Sequence, residues 1–202
     1  LGAVTYTANL VLWQQSDYFN TDAGLKPLLH VWSLSLEEQF YLLVPLLLLL
    51  LAPRRWLPVV TIGALASALA CFYFAAREPA ATFYLLPTRA WELLLGSALA
   101  AMTLRGGAPG AWRNVEVLAS RLAPALSLLT LWAVWVGFAE VHPGIDAVVV
   151  CSATAALIAA RPPWANRGVA ARLLARVGDA SYSLYLIHWP ILALALCANL
   201  TR

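Results

Sequence analysis

Residues Leu28–Pro45 read LLHVWSLSLEEQFYLLVP, and six consecutive leucines follow at Leu46–Leu51. Two adjacent carboxylates, Glu37 and Glu38, interrupt this otherwise apolar segment. A carboxylate at the centre of a bilayer helix costs about 2.5–3.5 kcal/mol, whereas each leucine contributes about 0.3–0.6 kcal/mol. Because the leucines of the segment roughly offset both glutamates, we predict a membrane helix whose carboxylates serve a purpose other than insertion.

The whole chain has the composition of a membrane protein. It is 62% hydrophobic and 11% charged, with a mean hydropathy of +0.75, whereas soluble domains carry about 25% charged residues. The net charge of +3 comes without interleaved basic and aromatic residues, so no nucleic-acid partner is predicted. Cys71, Cys151 and Cys197 lack metal-ligand spacing, and we predict packed thiols and no metal site. No motif of a soluble hydrolase, kinase or dehydrogenase occurs.

We predict an all-α fold, a polytopic integral-membrane helical bundle with one partial span and about six full spans. Residues 1–202 are interpreted as a single transmembrane domain that is truncated at both ends. The first apolar run, Leu1–Trp13, is too short to cross a bilayer and is predicted to end a longer helix. The predicted full spans are Leu34–Ala52, Leu57–Ala76, Arg89–Leu104, Leu122–Ala139, Gly144–Ala160 and Ser181–Leu200.

Basic residues set the predicted orientation of these spans. Nine arginines fall on one side and only four basic residues on the other, and the richer side is cytoplasmic by the positive-inside rule. The outer side is therefore predicted to hold His30, Arg89, Glu92 and the end of the first full span that carries Glu37 and Glu38.

Three segments resemble the membrane-bound acyltransferase-3 family, in family order. They are His30–Leu42 (HVWSLSLEEQFYL), Leu85–Gly96 (LLPTRAWELLLG) and Ser181–Pro190 (SYSLYLIHWP). The resemblance implies a fragment of a roughly ten-helix domain in a bacterial inner membrane. It also implies a first helix, outside this sequence, that carries the histidine usually assigned to catalysis, so His30 does not inherit that role.

The resemblance further implies an O-acyltransferase. Such an enzyme moves an acyl group, usually acetyl, from acyl-CoA as donor substrate to a hydroxyl of an extracytoplasmic carbohydrate. Acceptors of this kind are lipopolysaccharide O-antigen, exopolysaccharide and peptidoglycan. No bound cofactor is implied, and the implied partners are the lipid bilayer, acyl-CoA, the carbohydrate and a C-terminal SGNH-type domain beyond this sequence.

Ionisable and aromatic residues of the three segments are the candidate site. Glu37, Glu38 and His30 are the catalytic candidates, because intramembrane carboxylates are often functional and a near-neutral imidazole suits proton removal from a hydroxyl. The alternative for the glutamates is an interhelical hydrogen-bond network. The substrate-binding candidates are Trp32, Ser33, Tyr41, Arg89, Glu92, Tyr185 and His188.

Some of these candidates have an equally simple structural explanation. Arg89 and Glu92, spaced i and i+3, could form an intrahelical ion pair, or Arg89 could hold an anionic substrate group. Pro190 frees a backbone carbonyl near Leu186, which His188 could satisfy instead of lining a cavity. Two other functions fit the same features: a transporter or flippase of a lipid-linked saccharide and a non-catalytic membrane scaffold.

Overall fold

A computed structural model describes residues 2–15, 27–104, 111–136, 142–161 and 168–200. Within these ranges the chain forms helices and no strand. The α-helices are α1 (Ala8–Gln15), α2 (Val31–Leu49), α3 (Trp56–Phe74), α4 (Pro79–Tyr84), α5 (Leu86–Leu104), α6 (Ala111–Val136), α7 (Ile145–Ala160) and α8 (Gly168–Leu200). A 3₁₀ turn, Pro53–Arg55, precedes α3. The predicted polytopic all-α fold is confirmed.

Four segments of the described chain are long and apolar enough to cross a membrane: Val31–Leu49, Pro53–Phe74, Val117–Val136 and Ala171–Ala198. Two of the six predicted full spans fall short of that standard. Helix α5 has 19 residues, but Arg89 and Glu92 lower its hydropathy. Helix α7 has 16 residues, or about 24 Å at 1.5 Å per residue, against a hydrocarbon core of about 30 Å.

The predicted connectors are more helical than expected. The segment after α3, predicted as a loop from Arg77 to Thr88, contains the short helix α4 and the start of α5. Helices α6 and α8 begin well before their apolar spans, because Ala, Leu and Arg favour helix and a helix can leave the bilayer with its backbone bonds intact. Asp179, just before the predicted start of the last span, lies inside α8.

The chain divides into two compact units. The first consists of Leu1–Leu43, Tyr84–Leu86 and Arg167–Arg202, and the second of Val44–Phe83 and Pro87–Asn166. The first unit therefore contains α1, most of α2 and α8. The second contains α3, most of α5, and the pair α6 and α7, which pack against each other.

A fully buried amide holds the first unit together. The Asn9 side chain donates to the Tyr84 carbonyl oxygen at 3.1 Å and accepts from Gln39 Nε2 at 2.9 Å. Ser35 Oγ accepts the Ala8 backbone N–H at 3.3 Å. Since the surroundings are apolar, these bonds satisfy polar groups that water cannot reach. Asn9 of α1 is therefore hydrogen-bonded to a neighbouring helix, through Gln39 of α2.

Small residues let helices of the second unit approach one another. A β-carbon on Gly63 of α3 would lie 3.3 Å from Leu94 Cδ1 of α5. Nearby, Ser67 Oγ of α3 accepts the Trp91 backbone N–H of α5 at 3.0 Å. Close approach of small residues and hydroxyl-to-backbone bonds are the usual means of helix association in lipid.

Candidate active site

A cleft of about 310 Å³ opens in the first unit where the start of α2 meets α8. It is lined by Leu29, His30, Trp32, Ser33, Tyr185, His188 and Trp189. Five of these were candidate site residues from the sequence, and they come from the first and third family-like segments. The fold thus brings together two segments that lie about 150 positions apart in the chain.

Hydroxyl groups tie the two segments at the cleft. The Tyr185 hydroxyl donates to the His30 carbonyl oxygen at 2.5 Å, and it is also hydrogen-bonded to the Ser33 hydroxyl. A phenol has one proton to donate. Because the Tyr185 proton is used in the bond to the His30 carbonyl, the Ser33 hydroxyl donates its own proton to the Tyr185 oxygen. The backbone just before α2 is therefore held by a side chain of α8.

The two histidine rings of the cleft contact each other edge-on. Their centroids are 5.5 Å apart, and the His30 ring also meets the Tyr185 ring edge-on at 5.3 Å. His188 Nδ1 lies 2.6 Å from the Tyr185 carbonyl oxygen. Because a carbonyl only accepts, Nδ1 must carry the hydrogen, which leaves Nε2 of neutral His188 with its lone pair.

His30 is the buried member of the pair, with 8% of its surface exposed. Neither ring nitrogen makes a hydrogen bond of normal geometry within the described ranges. Burial lowers the pKa of the His30 imidazole below its ordinary value of 6.5, a positive charge on His188 lowers it further whenever that ring is protonated, and the nearby Leu186 backbone raises it in part. His30 is therefore a neutral imidazole near pH 7, able to accept a proton from a bound hydroxyl.

Pro190 leaves one backbone carbonyl of α8 without its usual partner in the helix. Proline has no N–H, so Pro190 inside α8 cannot donate to the carbonyl of Leu186, four residues earlier. That carbonyl is left available on the turn that also carries Tyr185 and His188. The sequence predicted the freed carbonyl and left open whether His188 satisfies it or lines a cavity. In the structure His188 lines the cleft and bonds the Tyr185 carbonyl.

The glutamate candidates lie apart from the cleft. Glu37 is two helical turns beyond His30, or about 10 Å along α2. Among described residues, no hydrogen bond or ion pair links Glu37 or Glu38 to the cleft-lining side chains. Tyr41, on the face of Glu37, is 57% exposed. The catalytic role of the glutamates and the binding role of Tyr41 stay predictions.

Arg89 and Glu92 belong to the second unit. Arg89 Nη2 lies 3.1 Å from Glu92 Oε2, which confirms the predicted intrahelical ion pair. The Arg89 guanidinium also lies over the Phe83 ring, 5.5 Å from its centroid. Glu92 Oε1 is buried without a hydrogen-bond partner among the described residues. Whether Arg89 also holds an anionic substrate group stays a prediction.

His142 and Asp146 form a side-chain contact outside the cleft. The Nδ1 atom of His142 lies 2.7 Å from Asp146 Oδ2. Asp146 also accepts the Gly144 backbone N–H at 3.2 Å. A carboxylate in the first turn of a helix can bond both a backbone donor and a side chain that precedes the helix. Asp146 therefore does more than complement the helix dipole.

Sequence reasoning missed three residues that shape the site. Leu29 and Trp189 line the cleft, and Gln39 fixes Asn9. Leu29 and Trp189 are direct neighbours of candidate histidines, a signal that could have found them. Gln39 gave a weaker signal, an amide in the middle of an apolar helix. Within the described ranges, no three His, Cys, Asp or Glu side chains gather as metal ligands.

The comparisons with known proteins agree with the three sequence segments. OatA, a peptidoglycan O-acetyltransferase of Listeria monocytogenes, is 27% identical over 197 residues, which cover 91% of this chain and 32% of OatA. An O-acetyltransferase of Staphylococcus aureus, also named OatA, is 36% identical over 107 residues, covering 50% of this chain and 18% of that protein. BcsY of Komagataeibacter xylinus is 29% identical over 194 residues, covering 96% of this chain and 48% of BcsY.

The chain spans about a third of the length of the Listeria OatA and about half of the length of BcsY. No solved structure matches it. The sequence profile described as an acyltransferase domain matches residues 1–195 of the 202. The chain is a member of the acyltransferase-3 family of membrane proteins.

Proposed function

We propose that the protein is a membrane O-acyltransferase that transfers an acyl group, acetyl in the first instance, from acyl-CoA to a hydroxyl of an extracytoplasmic carbohydrate. One observation supports this most. In a chain of the acyltransferase family, two of the family-like segments form a single cleft that holds a neutral, buried histidine beside a second histidine. Relatives named as O-acetyltransferases of peptidoglycan make that polymer the first acceptor to test.

In the proposed reaction the acceptor hydroxyl enters the cleft and gives its proton to a histidine. His30 suits this step because its imidazole is neutral near pH 7, and His188 Nε2 has a lone pair. The acceptor oxygen then attacks the acyl carbon. The new C–O bond forms, the C–S bond of the thioester breaks, and the proton ends on the coenzyme A thiol.

The remaining parts of the cleft are proposed to bind and orient the acceptor. Trp32 and Trp189 offer apolar ring surface for the faces of a sugar. Tyr185 donates its proton to the His30 carbonyl, and Ser33 donates its proton to the Tyr185 oxygen. The role of both hydroxyls is therefore to position His30. We place the cleft on the outer side of a bacterial plasma membrane. The donor enters from the arginine-rich cytoplasmic side, and its thioester must reach the cleft through the protein for the acceptor oxygen to attack it.

The test is transfer of label from [14C]acetyl-CoA in membranes that contain the full gene product. The proposal expects label on a carbohydrate fraction that remains after lipids are extracted with solvent. Mild alkali should release this label as acetate, because it hydrolyses O-esters. Membranes with the same amount of a His30→Gln variant are the control. A transporter would move the saccharide without acquiring label. Unlabelled carbohydrate under conditions where the saccharide crosses the membrane would overturn the proposal.

A further inference from the structure

A groove of about 230 Å³ lies in the second unit, between the C-terminal halves of α5 and α7. It is lined by Gly96, Leu99, Ala100, Thr103, Ile158, Ala159 and Arg161. The Thr103 hydroxyl already donates to the Ala100 carbonyl oxygen at 2.8 Å. Arg161 is the charged residue of this lining, so the groove is apolar along its length and cationic at one end.

Gly96 keeps the groove open. A β-carbon built on Gly96 would have no other atom within 4 Å, so the glycine does not serve close packing of helices. Glycine in a helix interior costs about 1 kcal/mol relative to alanine. The missing side chain of Gly96 therefore leaves open space in the groove, and it does not bring two helices into close contact.

Arg161 ends a helix that is shorter than the hydrocarbon layer is thick. Helix α7 has 16 residues, about 24 Å, which is roughly 6 Å less than the hydrocarbon thickness. Arg161 ends the helix in a left-handed conformation at φ 44°, and its N–H bonds the Leu157 carbonyl at 3.3 Å. A helix shorter than the hydrocarbon layer is accommodated by local thinning of the bilayer or by a long terminal side chain that extends outward, and the arginine side chain at this end can extend to the phosphate groups.

We propose that this groove binds an anionic phospholipid, with one acyl chain between α5 and α7 and the phosphate on Arg161. Acyl chains fill apolar channels on helix surfaces, and guanidinium pairs with phosphate through two parallel hydrogen bonds. Basic pockets between membrane helices favour anionic headgroups for the same reason. The site does not depend on the catalytic proposal, because it lies in the other unit and involves no residue of the cleft.

The experiment measures binding of phosphatidylglycerol and phosphatidylcholine to the purified protein by native mass spectrometry and by the shift in thermal unfolding midpoint. We expect the wild type to retain phosphatidylglycerol about tenfold more strongly than phosphatidylcholine, a ratio typical of one charge-assisted contact. Gly96→Leu fills the groove and should abolish retention of both lipids at this site. Arg161→Gln should keep binding of the chain but remove the preference for the anionic headgroup.

Two matched variants control for general effects. Gly178 is also a helical glycine with no atom within 4 Å of an added β-carbon, so Gly178→Leu makes the same change elsewhere. Arg55 is an exposed arginine outside the groove, so Arg55→Gln removes the same charge. Unchanged lipid retention in both Gly96→Leu and Arg161→Gln would overturn the proposal. Displacement of the lipid by acyl-CoA in equal molar amount would also overturn it, in favour of a donor site.

If Gly96→Leu fails to elute as a single species, Gly96→Ala narrows the groove with less risk. Together with Arg161→Gln, this variant gives the same test, with a smaller expected loss of lipid retention. Loss of acyl transfer with normal lipid binding would concern the catalytic proposal alone, and loss of lipid binding with normal transfer would concern the groove alone.

Discussion

The Tyr185 hydroxyl donates to the His30 carbonyl oxygen across 155 positions of sequence. This bond fixes the backbone immediately before α2 to the middle of α8, and the Ser33 hydroxyl joins it. The rings of His30, Tyr185 and His188 contact one another in the same cleft, with centroids 5.3–5.5 Å apart. Tyr185 therefore sets the geometry of the histidine pair without using its own proton in the proposed chemistry.

Tyr185→Phe removes this bond while keeping the ring. We expect the free energy of unfolding to fall by about 1 kcal/mol, the net contribution of one hydrogen bond, and the acyl-transfer rate to fall further because His30 loses its support. Thermal unfolding in detergent and label transfer measure the two effects. Tyr182→Phe, on an exposed residue of the same helix, is the control. Equal behaviour of the two variants would rule out a special role for Tyr185.

His30 predicts a pH dependence. Its pKa in the folded protein lies below the ordinary value of 6.5, so between these values the unfolded chain binds a proton that the folded chain does not. Stability should therefore decline as the pH falls below 6.5 and level off below the folded pKa, with a slope of at most about 1.4 kcal/mol per pH unit.

The same titration should set the acid limb of acyl transfer, placing its midpoint below pH 6.5. His30→Gln should remove this component of the stability profile. His142→Gln, which alters a histidine paired with Asp146 outside the cleft, should leave the acid limb in place. An acid limb that is unchanged by any substitution of His30 in an active enzyme would contradict the assignment.

Pro190 is expected to affect the pKa of His30 through the backbone carbonyl of Leu186. Pro190→Ala restores an N–H four residues after Leu186, which then competes for the carbonyl that raises the pKa of His30. The acid limb should move to lower pH. The matched control is Pro124→Ala, since Pro124 also lies inside a helix. A shift to higher pH, or equal shifts in both variants, would argue against this contact.

Asn9 is expected to be a stability hot spot. Asn9→Leu leaves the Tyr84 carbonyl without its bond from Asn9 and removes the acceptor of Gln39. The expected loss is about 1–3 kcal/mol in free energy of unfolding, the cost of unpaired buried polar groups. Denaturant titration in mixed micelles measures it. Asn114→Leu, at an exposed position of α6, should change stability by less than about 0.5 kcal/mol.

The helical fold could be predicted from sequence because hydropathy and length decide it. Helices α2 and α3 are close to their predicted spans, since uninterrupted apolar runs leave few alternatives. The ends of helices were harder. The starts of α6 and α8 lie in basic segments where polarity indicated a connector, yet local helix propensity continued the helix. Hydropathy reports where a helix meets lipid and says little about where it begins.

The candidate site was only partly accessible to sequence. The motifs named His30, Ser33, Tyr185 and His188 but could not show that they share one cleft, because side-chain meetings between distant helices depend on packing. Helical spacing did predict the pairing of Arg89 with Glu92, which is local. Helical spacing also puts Tyr41 on the same face of α2 as Ser33. Ser33 lines the cleft, but Tyr41 lies two turns further along the helix and is exposed.

The most direct test of the central proposal is the rate of acetyl transfer, per amount of folded protein in the membrane, for His30→Gln and His188→Gln against His142→Gln. A histidine that takes the acceptor proton contributes about 10²–10⁴-fold to the rate. We predict a loss in that range for at least one of the first two variants, with His142→Gln close to wild type. Wild-type rates in both His30→Gln and His188→Gln would contradict the assignment of the cleft as the active site.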